Sequence, residues 1–178
     1  MPRCRPRESV GAVWKAGAVT VFAVSGLLAL SGCGGSSAPS KSQYVAKADA
    51  ICSVAHNKTA PLIGQVIAAG ASLASGNAKS ARQLAPVVQR LHAAAAAALA
   101  QLQALRQPSG EHAAIERFLT PLASIVEAIG KATTAMSSGQ APQALGLLAQ
   151  VQPVTQQATS AAQAYGVPQC GTVVSALG

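Results

Sequence analysis

From Ser42 to the C-terminus, apolar and small residues recur in alternating steps of three and four, the spacing at which one face of a helix meets other helices. Four stretches carry the pattern. The first runs Val45, Ala48, Cys52, Ala55, Thr59, Leu62, Val66, Ala69, Leu73 and keeps its phase through Pro61, which predicts one long helix kinked there. Asn57, Thr59 and Pro61 also make a fair helix start, so a split into two helices is the alternative. The second runs Leu84, Val88, Leu91, Ala95, Ala98, Leu102, Leu105 around the Ala93 to Ala98 tract, the strongest helix-forming composition available. Gln107-Pro108-Ser109-Gly110 should end it, with Ser109 capping the next helix and Glu111 placed favourably for its dipole. The third runs Ile115, Leu119, Leu122, Val126, Ile129, Thr133, Met136, with Pro121 expected to bend it and Ser138-Gly139 to close it. The fourth runs Ala144, Leu147, Val151, Val154, Ala158, Ala161, Tyr165. Gly166 follows where a left-handed cap is wanted, and Pro168 should prevent a restart.

Helices of about 25 to 33 residues are each roughly 40 Å long. Short connections make neighbours antiparallel, so the expected fold is all-α: an antiparallel up-down-up-down four-helix bundle. A weak internal repeat agrees with two helical hairpins. Shifted by 63 residues, Ser75-Gly76-Asn77-Ala78 lies over Ser138-Gly139-Gln140-Ala141, Ala81 over Ala144 and Leu84 over Leu147. Alanine-rich helices also match one another readily by chance.

Upstream the pattern changes. Ala16 to Leu30 form an apolar run of 15 residues, preceded by Arg3, Arg5, Arg7 and Lys15 and followed by Ser31-Gly32-Cys33. A positive start, a short apolar core and small residues at the end are the parts of an export signal. The segment Leu30-Ser31-Gly32-Cys33 resembles the lipobox of bacterial lipoprotein precursors, which implies a diacylglyceryl thioether on Cys33 and cleavage before it. An ordinary secretory signal is the alternative; an uncleaved anchor would fall short of the ~20 residues needed to span the hydrocarbon. The expected organisation is a signal peptide over 1–32, lipidated Cys33 and a flexible tether over 33–41, and the bundle over 42–178. The expected location is the extracytoplasmic face of the cell membrane, held by lipid on Cys33. Two or more acyl chains, at ~0.8 kcal/mol per buried methylene, make a lasting anchor. Gly34-Gly35-Ser36-Ser37-Ala38-Pro39-Ser40 has a reach of about 15 Å, which keeps the domain close to the lipid surface.

The four cysteines then have separate fates. Cys4 leaves with the signal and Cys33 takes the lipid, which leaves Cys52 and Cys170 in an oxidising compartment, where paired thiols become disulfides. They are expected to pair, with two free thiols as the alternative. In an up-down-up-down bundle the end of the fourth helix lies beside the start of the first, and the tail after Gly166 would fold back over that end.

Composition narrows the chemistry. Half the residues are apolar but only 3% are aromatic, so the core is built from thin side chains. The net charge of +8 includes +3 in the signal, leaving +5 on the mature chain without a basic cluster interleaved with aromatics. The chain does not read as a nucleic-acid binder, and the modest positive balance suits a position beside anionic lipid. Mature acidic residues are confined to Asp49, Glu111, Glu116 and Glu127, and histidines to His56, His92 and His112. His112 and Glu116 stand four apart on one helix face, but a hydrogen-bonded surface pair is the commoner outcome than a metal site. His56 and His92 read as helix-boundary or solvent residues. Met136 could ligate haem, yet there is no Cys-x-x-Cys-His, His-Glu-x-x-His, Gly-x-Ser-x-Gly or phosphate loop. No metal, cofactor or catalytic residue is expected, and the chain is not read as an enzyme.

Two terminal segments, Ala48-Asp49-Ala50-Ile51-Cys52 and Tyr165-Gly166-Val167-Pro168-Gln169-Cys170, are similar to those of small actinobacterial-type lipoproteins. The resemblance covers nearly the whole mature chain, with little specificity between its ends. It implies a helical extracytoplasmic domain and the terminal disulfide, and it implies no activity. The expected role is therefore a structural or protein-interaction module of the cell envelope, with an unidentified envelope protein as partner. The alternative is a carrier or sensor holding a small apolar ligand between helices.

Overall fold

A computed structural model describes residues 38–175. The segment expected to be a signal peptide (1–32), the expected lipidation site Cys33 and the first part of the expected tether lie outside the described residues. Seven helical segments follow one another: α1 (Lys41–Ala68), α2 (Gly70–Ala74), α3 (Ala78–Ala104), α4 (His112–Ser137), α5 (Ala141–Ala149), α6 (Val151–Tyr165) and α7 (Pro168–Ser175). The described residues hold no strand, and none of their helices is long and apolar enough to cross a membrane.

Helix begins at Lys41, the last residue of the expected tether. Ser40 accepts a hydrogen bond from the Gln43 amide, while the Gln43 side chain accepts from the Ser40 amide, a reciprocal cap that starts α1 at Lys41. The helix continues through Pro61 without a break, as the unbroken stripe predicts. It stops instead at Ala69, and the last stripe residue, Leu73, is buried from the separate short turn α2. Asn77 caps α3 through bonds to the Lys79 and Ser80 amides. The start of α4 differs from expectation: its cap position is Glu111, which makes no capping bond through its side chain, and Ser109 lies in the preceding loop.

The fourth stripe is broken. Gln150 separates α5 from α6, and Pro153 explains why. Inside a continuous helix its ring would press on the Ala149 carbonyl, whereas in the first turn of a new helix its missing N–H costs nothing. Pro168 likewise does the reverse of what was expected and opens α7. Two glycine closures are as predicted. At Gly139 (φ +76°) and Gly166 (φ +98°) the chain turns left-handed, and the next amides, Gln140 and Val167, reach back to the carbonyls of Ala135 and Ala162. Gly76 (φ +74°) also turns left-handed, so each of the two aligned segments is followed by a new helix, at Ala78 and Ala141, although Asn77 caps its helix through its side chain and Gln140 does not.

α3 packs against α1 and α4, α4 packs against α6, and α7 lies against both α6 and α1. The buried side chains form two clusters. The larger holds Leu73, Leu84, Val88, Ile125, Ile129 and Met136, with alanines at the closest approaches. The smaller gathers Tyr44, Cys52, Leu102, Phe118, Tyr165, Val167 and Cys170 at the other end.

Candidate functional site

The smaller cluster is where the two ends of the described chain meet. Cys52, on the buried face of α1, and Cys170, in the first turn of α7, are disulfide-bonded across 118 residues with their Cα atoms 4.9 Å apart. Both are almost completely buried. The Cys170 sulfur lies 3.7 Å from the Ala48 carbonyl oxygen, a packing contact, since a disulfide sulfur carries no proton. Beside it, Asp49 accepts a hydrogen bond from the Gln169 amide at 3.1 Å, which places a carboxylate on the positive end of α7. Asp49→Ala is therefore expected to cost about 1 kcal/mol in urea-induced unfolding, as other capping losses do. Asp49→Asn, which keeps the acceptor, should lose less than half of that.

All three aromatic side chains of the described region pack here. Tyr165 meets Tyr44 edge-on with ring centroids 5.9 Å apart and Phe118 in a tilted contact at 5.8 Å. Lys41 closes the outer side: its ammonium stands 4.5 Å from the centre of the Tyr165 ring and 3.5 Å from a Glu111 carboxylate oxygen. Both tyrosine hydroxyls are buried, and neither has a hydrogen-bond partner among the described residues. Burial, then the neighbouring Tyr165, then Glu116 push the Tyr44 hydroxyl up to about 12. Burial, and after it Glu111, raise that of Tyr165. The stripes had placed Val45 and Leu119 inward; Tyr44 and Phe118, their neighbours, are the more completely buried. With aromatics so scarce in this chain, their positions alone were the signal for this cluster.

The remaining candidates are separated. His112 hydrogen-bonds Gln107 at 2.8 Å, while Glu116 accepts from Thr120, so the two residues do not pair with each other. His92 is half-buried against Gly130 of α4, and His56 is half-buried in the middle of α1, with its Nδ1 enclosed. Neither is a helix-boundary or solvent residue as expected; close packing of α3 on α4 covers the first, and the second sits midway along its helix. Met136 is fully enclosed in the larger core cluster. Among the described residues, no three His, Cys, Asp or Glu side chains converge as metal ligands would.

Between α1, α3, α4 and α7 lies a cavity of about 40 Å³, walled by apolar side chains that include Ala95, Ala98, Leu122 and Val173. Its one hydroxyl, that of Thr59, donates to the Ala55 carbonyl. That volume holds about one water molecule, against the roughly 300 Å³ or more of small-molecule sites. No family model matches the chain, and neither a curated protein nor a solved structure matches it.

Proposed function

We propose that this chain is the precursor of an extracytoplasmic lipoprotein, anchored through Cys33, whose helical domain is a non-enzymatic interaction module of the cell envelope. The observation that carries the reading is Leu30-Ser31-Gly32-Cys33 directly after a basic start and a 15-residue apolar run. The buried Cys52–Cys170 disulfide supports an oxidising compartment. Within this reading, α1, α3, α4 and α6 run up-down-up-down and α7 closes the seam between the first and last of them. The order of packing favours that arrangement, since α7 touches both α1 and α6. The interior favours an outward-facing role over a carrier, because the apolar void enclosed by α1, α3, α4 and α7 is too small for a ligand as the helices stand.

The anchor is testable directly. Mature protein recovered from membranes should begin at Cys33 and carry acyl mass there, and Cys33→Ser should shift the folded domain out of the lipidated membrane fraction. Unmodified Cys33 in membrane-bound protein, or continued lipid labelling of the Cys33→Ser chain, would overturn the reading.

A further inference from the structure

We infer that the face shared by α1 and α3 rests on the surface of an anionic lipid bilayer, so that the bundle lies on its side there; the inference depends on the anchored reading above. Lys47 and Lys58 of α1 stand about three helical turns apart, on one face, with Val54 between them and 54% exposed. Lys79 and Arg90 of α3 have the same spacing. All four cations are exposed. α1 and α3 pack against each other, and Lys47 lines a groove together with Leu105 at the end of α3, which places it on the side of α1 nearest that neighbour. On α3, His92 packs against Gly130 of α4. Arg90, two positions earlier, stands about 200° around the helix from it and is therefore turned away from α4. The two pairs flank one surface.

That surface carries one sign of charge. α3 has no Asp or Glu, and α1 has only Asp49, which is bound to the Gln169 amide of α7. Glu111, Glu116 and Glu127 lie at the start of α4 or within it, where they meet Lys41, Thr120 and Lys131. After Lys131 the chain has no charged residue, so the side built from α5, α6 and α7 is neutral. Four cations spread over two helices suit an extended array of phosphates better than a single anion, and exposed Val54 among them suits the boundary with the acyl chains. Position selects the bilayer as the source of those phosphates. The tether enters at the first residue of α1 and reaches about 15 Å, which brings this helix nearest the lipid. A basic face added to an acyl chain fixes how the domain lies, which a flexible tether alone cannot do. The neutral side then faces away from the membrane, toward the envelope partner.

Tryptophan quenching by brominated acyl chains tests this. The sole tryptophan, Trp14, lies in the expected signal peptide, so Val54→Trp and, on the exposed side of α6, Gln157→Trp each give the mature chain a single reporter. In lipidated protein on vesicles of equal phosphatidylglycerol and phosphatidylcholine, the Val54→Trp emission should be quenched and the Gln157→Trp emission should not. On phosphatidylcholine alone neither should be. Removing either cation pair, as Lys47→Gln with Lys58→Gln or as Lys79→Gln with Arg90→Gln, should lower the ratio of quenched to unquenched protein about 25-fold, roughly fivefold per cation. Equal quenching at the two positions, quenching as strong without phosphatidylglycerol, or quenching that survives the loss of all four cations would overturn the inference. So would full recovery of emission on adding soluble polyphosphate at the concentration of the lipid phosphate, which would make the partner a soluble polyanion. Val54→Trp quenching in protein without acyl mass on Cys33 would uphold the face and remove the anchor, while acylated Cys33 with equal quenching would do the reverse, so the two readings fail separately.

Discussion

Reducing the Cys52–Cys170 disulfide is expected to lower the unfolding free energy by about 4–5 kcal/mol, the value a crosslink spanning more than 100 residues contributes by restricting the unfolded chain. For a domain of this size that is a fall in Tm of roughly 10–20 °C. The fold gives a local reason for the effect. α7 has eight residues, far fewer than a helix needs to persist by itself in water. It is held by Cys170, by Asp49 at its first turn and by the apolar faces of α1 and α6. Without the covalent bond, α7 should fray first, so its amides should exchange much faster in reduced protein while those of α3 and α4 change least. Urea unfolding of oxidised and reduced protein, and of the Cys52→Ala/Cys170→Ala chain, measures the difference. A loss below about 1 kcal/mol would mean that packing alone holds the strap and that the bond adds little.

The same strap shows where spacing stops being informative. Apolar periodicity located α3 and α4 because nothing in their interiors conflicts with it; α3 even runs through Pro86 and α4 through Pro121. Each proline costs its helix one hydrogen bond, while the buried faces on either side still pack. At Pro153 and Pro168 the same residue opens a helix, since the first turn has no use for its N–H. The stripe keeps its phase across Gln150, so period alone could not reveal the break. Turn chemistry was more reliable: Gly139 closes α4 and Gly166 takes the left-handed cap expected of it, both at a positive φ that glycine adopts without strain.

Cysteine pairing was legible by elimination once two of the four cysteines had been assigned, and the closure of the chain's ends followed from it. The aromatic cluster was not. Tyr44, Phe118 and Tyr165 are scattered along the sequence, and two of them stand one position off the predicted stripes. Rotation of a helix by one residue moves a side chain through about 100°, so a stripe of small residues, which tolerates either neighbour facing inward, fixes the helix but not its facing. On α1 the larger ring of Tyr44 takes the interior position ahead of Val45, while on α4 Phe118 is buried together with the stripe residue Leu119. This is the cost of an alanine-rich core to inference: close approach is easy to foresee, while the partner that fills each gap is decided by the few large side chains.

Stability should fall as the pH rises from 10 to 12, by about 2 kcal/mol from Tyr44 alone. In the unfolded chain this hydroxyl ionises near 10; in the folded protein burial, Tyr165 and Glu116 hold it protonated until about 12. Between those values the unfolded state binds fewer protons than the folded one, so each further rise in pH favours unfolding. Below 10 both states keep the proton, and the group contributes no slope. Tyr165, raised by burial and by Glu111, acts in the same direction. Tyr44→Phe isolates the Tyr44 contribution. The variant should lose the Tyr44 part of the alkaline decline. At neutral pH it should match or exceed the parent by up to about 1 kcal/mol, because it removes a buried hydroxyl that lacks a protein partner. Urea unfolding across the pH range, with tyrosinate absorbance of the folded protein recorded in parallel, provides both quantities. Parallel stability curves for the two chains, or a Tyr44 that ionises near 10 in the folded state, would show that its hydroxyl reaches water and that this end of the domain is open.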